Sequence, residues 1–201
     1  MRLSIALLLL VGLAACGAGI GQQNAPPEVI AQKAWRAPGP ATLTLMTMVN
    51  NRSGTGGHTS LLINGSQRVI FDPAGSFMNE RVPERDDVLY GVTPAVLAGY
   101  KSAHARSTYH VVSQTIEVTP EQAEIALKLA MQNGPVPKML CARSTTQLLR
   151  QVPGFGDIRE TMFPGNLLEQ FEQRPGVTTD RYYEDDAGTI LDGIDGLVID
   201  G

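Results

Sequence analysis

His58, Asp72 and Cys141 are the residues whose types and spacing suit covalent chemistry. Cys141 stands shortly after Pro135 and Pro137, where a loop reads as giving way to a helix. A free thiol has a pKa of about 8.5 and is mostly protonated at neutral pH, whereas the thiolate is the nucleophile. A helix N-terminus presents unpaired N–H groups that stabilise a thiolate, and an adjacent imidazole takes the proton to make an ion pair. His58 follows Gly56-Gly57 and opens a strand, and Asp72 ends the strand that pairs with it. A carboxylate on the far ring nitrogen fixes the tautomer and holds the ring in place. The backbone N–H of Cys141, with a neighbouring donor, would then face a developing oxyanion.

These residues also have plainer readings. Cys141 is a buried inert cysteine, one half of an intermolecular bridge, or a reactive thiol. His58 also reads as a hydrogen-bonded strand-end histidine, and Asp72-Pro73 as a common turn. His104 and His110 are the alternative bases. His104 follows a helix in a polar stretch and reads as solvated, while His110 sits inside a strand beside Tyr109. The acidic residues Glu184, Asp185, Asp186, Asp192, Asp195 and Asp200 raise the question of calcium, but their spacing is not that of an EF-hand loop. No zinc signature, phosphate loop or Gly-x-Ser-x-Gly elbow is present, so no metal or cofactor is expected.

The elements that must position these residues follow from periodicity and turn chemistry. Thr42 to Val49 alternates as a strand, with Leu43, Leu45 and Thr47 on one face and Thr44, Met46 and Met48 on the other. His58 to Ile63 and Gln67 to Phe71 flank Asn64-Gly65, a tight-turn dipeptide. That turn places residues 58 and 72 at the same open end of one ribbon, so their side chains are expected side by side. Phe77 to Asp87 is polar and reads as a loop. Thr93-Pro94 begins a short helix running to about Tyr100, with proline at its first position. Thr108 to Val118 is a fourth strand. Thr119-Pro120-Glu121-Gln122 opens a helix with a capping box, and Ala123, Ala126, Leu127, Ala130 and Met131 form its apolar face. Cys141 to Val152 is the next helix, with Leu148 and Leu149 inward, and Asn166 to Phe171 the last. Strands paired as hairpins and mixed with helices predict an α+β domain.

The N-terminus carries an address. Arg2 precedes an apolar run, Leu3 to Leu13, which is too short to span a bilayer needing about twenty such residues. Leu13-Ala14-Ala15-Cys16 resembles the bacterial lipobox. That resemblance implies cleavage before Cys16 and fatty acylation of it, and Gly17 after it implies outer-membrane sorting, facing the periplasm. Several acyl chains anchor a terminus far more firmly than one. The resulting division is a signal peptide over 1–15, a lipidated N-terminus and tether over 16–40, a folded domain over 41–180 and an acidic tail over 181–201. The tether is rich in Gln, Pro and Gly and is expected not to fold, apart from a turn or two of helix in Val29 to Trp35. Trp35, the only tryptophan, is expected to dock on the domain. The tail reads as solvated.

Hydrophobic residues make up 43% and charged residues 18% of the chain, an ordinary globular balance that suits one core. The net charge is −4 and there is no basic stretch, which argues against a nucleic-acid partner. The chain contains two cysteines, and lipidation of Cys16 leaves Cys141 with no intramolecular partner in an exported protein.

Three segments together resemble one family. They are Gly57-His58-Thr59-Ser60-Leu61-Leu62-Ile63, Arg68-Val69-Ile70-Phe71-Asp72-Pro73-Ala74-Gly75 and Cys141-Ala142-Arg143-Ser144-Thr145-Thr146-Gln147-Leu148-Leu149. Their order is similar to that of the circularly permuted papain-like thiol hydrolases, the permuted branch of the NlpC-type cell-wall peptidase superfamily. The resemblance spans about Thr42 to Val152. It implies a small antiparallel sheet packed against helices, with Cys141 as nucleophile, His58 as base and Asp72 as orienting residue. Where relatives often carry His or another polar group, this chain has Asp72, and Val136-Pro137-Lys138-Met139-Leu140 lacks the Tyr and Asn often found before the cysteine. The implied activity is a membrane-tethered hydrolase or acyltransferase acting on an amide or ester bond of a cell-wall peptide or a lipid acyl group. The reading from a different class is a non-catalytic envelope lipoprotein that uses the same fold for binding or support.

Overall fold

The computed structural model describes residues 24–195. The lipobox, Cys16 and Asp200 lie outside them. The architecture is α+β: seven antiparallel strands form one open sheet in the order β4-β5-β3-β2-β1-β6-β7. Its centre is β1 (Thr42–Asn50), flanked by β2 (Gly56–Asn64) and β6 (Tyr109–Glu117). All seven interior residues of β1 are buried, because helices cover both faces of the sheet.

On one face Leu43, Leu45, Leu61, Ile63, Val69 and Phe71 pack beneath three helices. These are α3 (Pro120–Gln132), α4 (Cys141–Leu149) and α5 (Pro164–Glu172). On the other face Met46, Met48, Leu62, Ile70 and Val111 meet Val96, Tyr100 and Ala103 of α2 (Pro94–His104). The strand period of two thus feeds two cores from alternate residues of the same strands. α3 begins as the Thr119 capping box requires, with Thr119 Oγ1 accepting from the Gln122 N–H and Gln122 Oε1 accepting from the Thr119 N–H. Met131 departs from the expected apolar face of α3 and is exposed.

Four further departures have physical causes. The 77–87 stretch is not all loop: β4 (Glu84–Arg85) and β5 (Val88–Leu89) form a hairpin beside β3 (Arg68–Phe71). Strands of two residues are too short to show alternation. α2 continues through His104 rather than stopping near Tyr100. Residues 24–40 lie along the domain instead of hanging free. α1 (Pro27–Gln32) is a short helix, Ala25 N–H donates to Glu84 O at 2.7 Å, Arg36 Nε donates to Gly65 O at 3.0 Å, and the Arg68 guanidinium lies 4.5 Å over the Trp35 ring. These anchors are backbone carbonyls and one cation–π contact, which composition does not reveal. Finally, β7 (Thr178–Tyr182) adds an edge strand to β6, and Ile190 and Ile194 of α6 (Ile190–Asp195) pack on the α2 side of the sheet. Four of the five β7 side chains are exposed, so its sequence carries no buried face to recognise. Among the described residues no helix is long and apolar enough to cross a membrane.

Candidate active site

The β2–β3 ribbon sets the first half of the site. Leu61 pairs with Phe71, so the register continued by one residue brings Asp72 opposite Ser60. Residues 58, 60 and 62 share one face of β2. His58 Nε2 lies 2.7 Å from Asp72 Oδ1, the side-by-side placement that the hairpin implies. Tyr100 Oη donates to the same oxygen at 2.8 Å and lies 3.0 Å from Ser60 Oγ. Burial and then the charge of Asp72 hold the Tyr100 phenol protonated, as a donor. Both lone pairs of Asp72 Oδ1 are therefore engaged, and the carboxylate is 4% exposed.

Glycine is required where this ribbon is crowded. A Cβ on Gly75 would fall 2.0 Å from Asp72 Oδ2. One on Gly56, at the start of β2, would fall 2.6 Å from the backbone nitrogen of Gly165 at the start of α5. The Gly56 close approach fits the β2 end, two residues from His58, against α5.

α4 supplies the thiol. Its first residue is Cys141, and Leu140 in the N-cap position makes no side-chain cap. The opening N–H groups of the helix thus have no intrahelical acceptor. The Ala142 and Thr59 N–H groups and the His58 imidazole are near enough to the Cys141 sulfur to lower the thiol pKa. With Nε2 committed to Asp72, Nδ1 is the ring nitrogen left for sulfur.

The electrostatics match this geometry. Burial by itself lowers the His58 pKa, but the charge and hydrogen bond of Asp72, followed by those of Cys141, more than reverse it and raise it to about 10. Burial raises the Cys141 pKa, and His58 with the two N–H donors outweighs burial, so the thiol falls below its ordinary value. Asp72 follows the same pattern: burial raises it, and His58, His104 and Tyr100 bring it below the usual carboxylate range. A raised imidazole beside a lowered thiol shifts the pair toward thiolate and imidazolium.

His104 is buried rather than solvated. Its Nδ1 donates to the Tyr100 carbonyl at 2.8 Å, its ring lies 4.2 Å from that of Tyr100 and 6.1 Å from that of His58, and burial lowers its pKa to about 4. It is a neutral neighbour of the Asp72 carboxylate. His58, Asp72 and His104 each offer a donor within 4.8 Å of the others, the arrangement that comes nearest to a metal set among the described residues. The hydrogen bonds from His58 and Tyr100 already occupy Asp72 Oδ1. His110 belongs to another neighbourhood, with Nδ1 2.7 Å from Asn51 Oδ1 and its ring stacked on Tyr183.

Beside the imidazole lies a cavity of about 480 Å³, whose walls include Met48, Gly57, His58, His104, Tyr109 and Ile190. Cys141 is not on its wall, so the cavity approaches the dyad from the histidine side. Tyr100 was not expected at the site, and His104, an alternative base read as solvated, lies buried beside it. Their sequence signal was faint, two ring-bearing residues four apart on one helix face. Compared with protein-family models, curated proteins and solved structures, the chain matches none.

Proposed function

We propose that this chain is a thiol hydrolase or acyltransferase of the cell envelope, tethered by a lipid on Cys16, with Cys141 as nucleophile, His58 as base and acid, and Asp72 as the orienting carboxylate. One observation carries the reading: the imidazole is held between a buried carboxylate and a thiol at a helix N-terminus. The antiparallel sheet, the strand-borne histidine and the later helix-borne cysteine support a permuted papain-like arrangement.

In the proposed reaction the Cys141 thiolate attacks the carbonyl carbon of an amide or ester, forming a C–S bond as the carbonyl π electrons move to oxygen. The Cys141 N–H at the start of α4 faces that oxyanion. Collapse of the intermediate breaks the bond to the leaving nitrogen or oxygen, which takes the proton from the His58 imidazolium. Neutral His58 then removes a proton from water, or from an acceptor alcohol or amine. That nucleophile attacks the thioester, the C–S bond breaks, and the thiolate and imidazolium are restored. Asp72 holds the ring throughout without accepting the proton.

The non-catalytic reading has one observation in its favour: Cys141 is 6% exposed. Activated ester and peptide probes decide between the two. Turnover by the mature chain, lost in Cys141→Ala and reduced by a factor on the order of 10²–10⁴ in His58→Ala, is the expected result. A thiol that resists alkylation until the protein unfolds would overturn the enzyme reading.

A further inference from the structure

Asp87 lies on neither β2 nor α4, yet it is bonded to the turn that carries Asp72 and to the loop that leads into α4. It is the second residue of the two-residue turn between β4 and β5, where Asp86 and Asp87 have φ of 51° and 64°. Two successive residues with positive φ form the turn that matches the twist of a hairpin. The turn buries Asp87 to 1% exposure. From there its backbone carbonyl accepts the Asp72 N–H at 2.8 Å. Its Oδ2 accepts the Ala74 N–H at 3.1 Å and the Val136 N–H at 2.7 Å.

Those three amides belong to two separate parts of the chain. Asp72 and Ala74 flank the turn that leaves β3 with the orienting carboxylate. Val136 lies in the 133–140 loop, five residues before Cys141 and ahead of the positive-φ Met139 (70°). Pro135 and Pro137 on either side of Val136 have no N–H to offer, so the Val136 amide is the donor this stretch presents to Asp87, while the Val136 side chain packs against the core.

Resting on the thiol-hydrolase reading, we propose that Asp87 is a positioning residue that fixes the loop before Cys141 against the His58–Asp72 ribbon and so sets the thiol-to-imidazole geometry. One oxygen holds an amide from each part, so neither can drift without breaking a bond to a buried carboxylate. A displacement of about 1 Å between reacting groups lowers rates by about 10²-fold, which makes such a staple kinetically visible.

The test uses Asp87→Gly and Asp87→Asn in the otherwise intact mature chain. Glycine removes the carboxylate and suits the positive φ, so the turn itself is not strained. Asparagine keeps an acceptor oxygen and also tolerates that conformation. The pH midpoint of Cys141 alkylation by iodoacetamide and turnover of an activated ester are read together. Asp87→Gly is expected to move the midpoint up toward the ordinary thiol value and to reduce turnover by about 10²-fold while circular dichroism stays native, with Asp87→Asn restoring both. A folded Asp87→Gly with the wild-type midpoint and turnover would overturn the positioning role and leave the hydrolase reading standing. A wild-type thiol with an ordinary midpoint and no turnover would overturn the hydrolase reading, and this proposal with it. Should Asp87→Gly fail to fold, native-state hydrogen exchange on the wild type decides. A Val136 amide protected as well as the Asp72 amide supports the staple, and exchange at the rate of an exposed loop overturns it.

Discussion

At the residue scale the dyad is a set of opposed ionisations, and each affects stability with its own sign. His58 has a folded-state pKa of about 10 against an ordinary value of 6.5. The stability added by its imidazolium is therefore complete below about pH 6.5 and is lost as pH rises through about 10. Cys141 is lowered, so its contribution is complete above the ordinary thiol value of about 8.5 and is lost as pH falls through the folded value. The two oppose each other in the same window. Cys141→Ala removes the thiol and leaves the Asp72–His58 pair, so its urea midpoint is expected to fall as pH rises from about 6.5 through a His58 pKa that lies below 10 without the Cys141 contribution. A midpoint constant across that window would mean that the imidazolium–carboxylate pair contributes nothing to the fold. Tyr100 and His104 deepen the same point: a buried carboxylate is held by one charged and one neutral hydrogen-bond donor, with a second, neutral imidazole beside it.

At the element scale the site depends on how closely backbones approach one another. The turn after β3 brings Gly75 against Asp72 so tightly that a methyl group has no room. Gly75→Ala is expected to leave the sheet intact and to turn the Asp72 carboxylate away from His58, lowering turnover by a factor on the order of 10² and returning the thiol toward its ordinary pKa. Equal kinetics in Gly75→Ala and wild type would show that Asp72 does not orient the imidazole. The elements carrying the dyad were legible because each has a local signature: alternation in β1, the Asn64-Gly65 turn between β2 and β3, and the capping box of α3 ahead of α4. β4, β5 and β7 were not legible. The first two are too short to alternate, and the third presents exposed side chains on an edge.

At the scale of the whole molecule, the two ends of the described chain close over the domain. The N-terminal segment is fastened to β4 from Asn24 onward, by Asn24 Oδ1 with the Asp86 N–H at 2.9 Å and Ala25 O with Arg85 Nη1 at 3.0 Å. At the other end Arg106 pairs with Glu184 and Asp186, and Gly188, Thr189 and Ile190 form one wall of the cavity beside His58. A chain ending at Asp186 loses that wall and the apolar side chains of α6, Ile190 and Ile194. It is expected to remain folded, to melt a few degrees lower, and to let diethyl pyrocarbonate modify His104, the neutral imidazole on the cavity wall, faster. An unchanged modification rate would show that the C-terminal segment does not cover the histidine side of the site.

The sequence by itself determined the central strands and the main helices, because these rest on periodicity, turn dipeptides and capping within a few neighbouring positions. It also placed His58 beside Asp72, since a hairpin with a known turn has a known register. The tertiary structure alone decided that Cys141 reaches that histidine. Residues 58 and 141 stand on different elements, and only the packing of α4 on the sheet joins them. Tyr100 and His104 from α2, Asp87 from a two-residue turn and the docking of residues 24–40 were decided there as well. Each depends on contacts between segments far apart in the chain, and local sequence patterns do not encode those contacts.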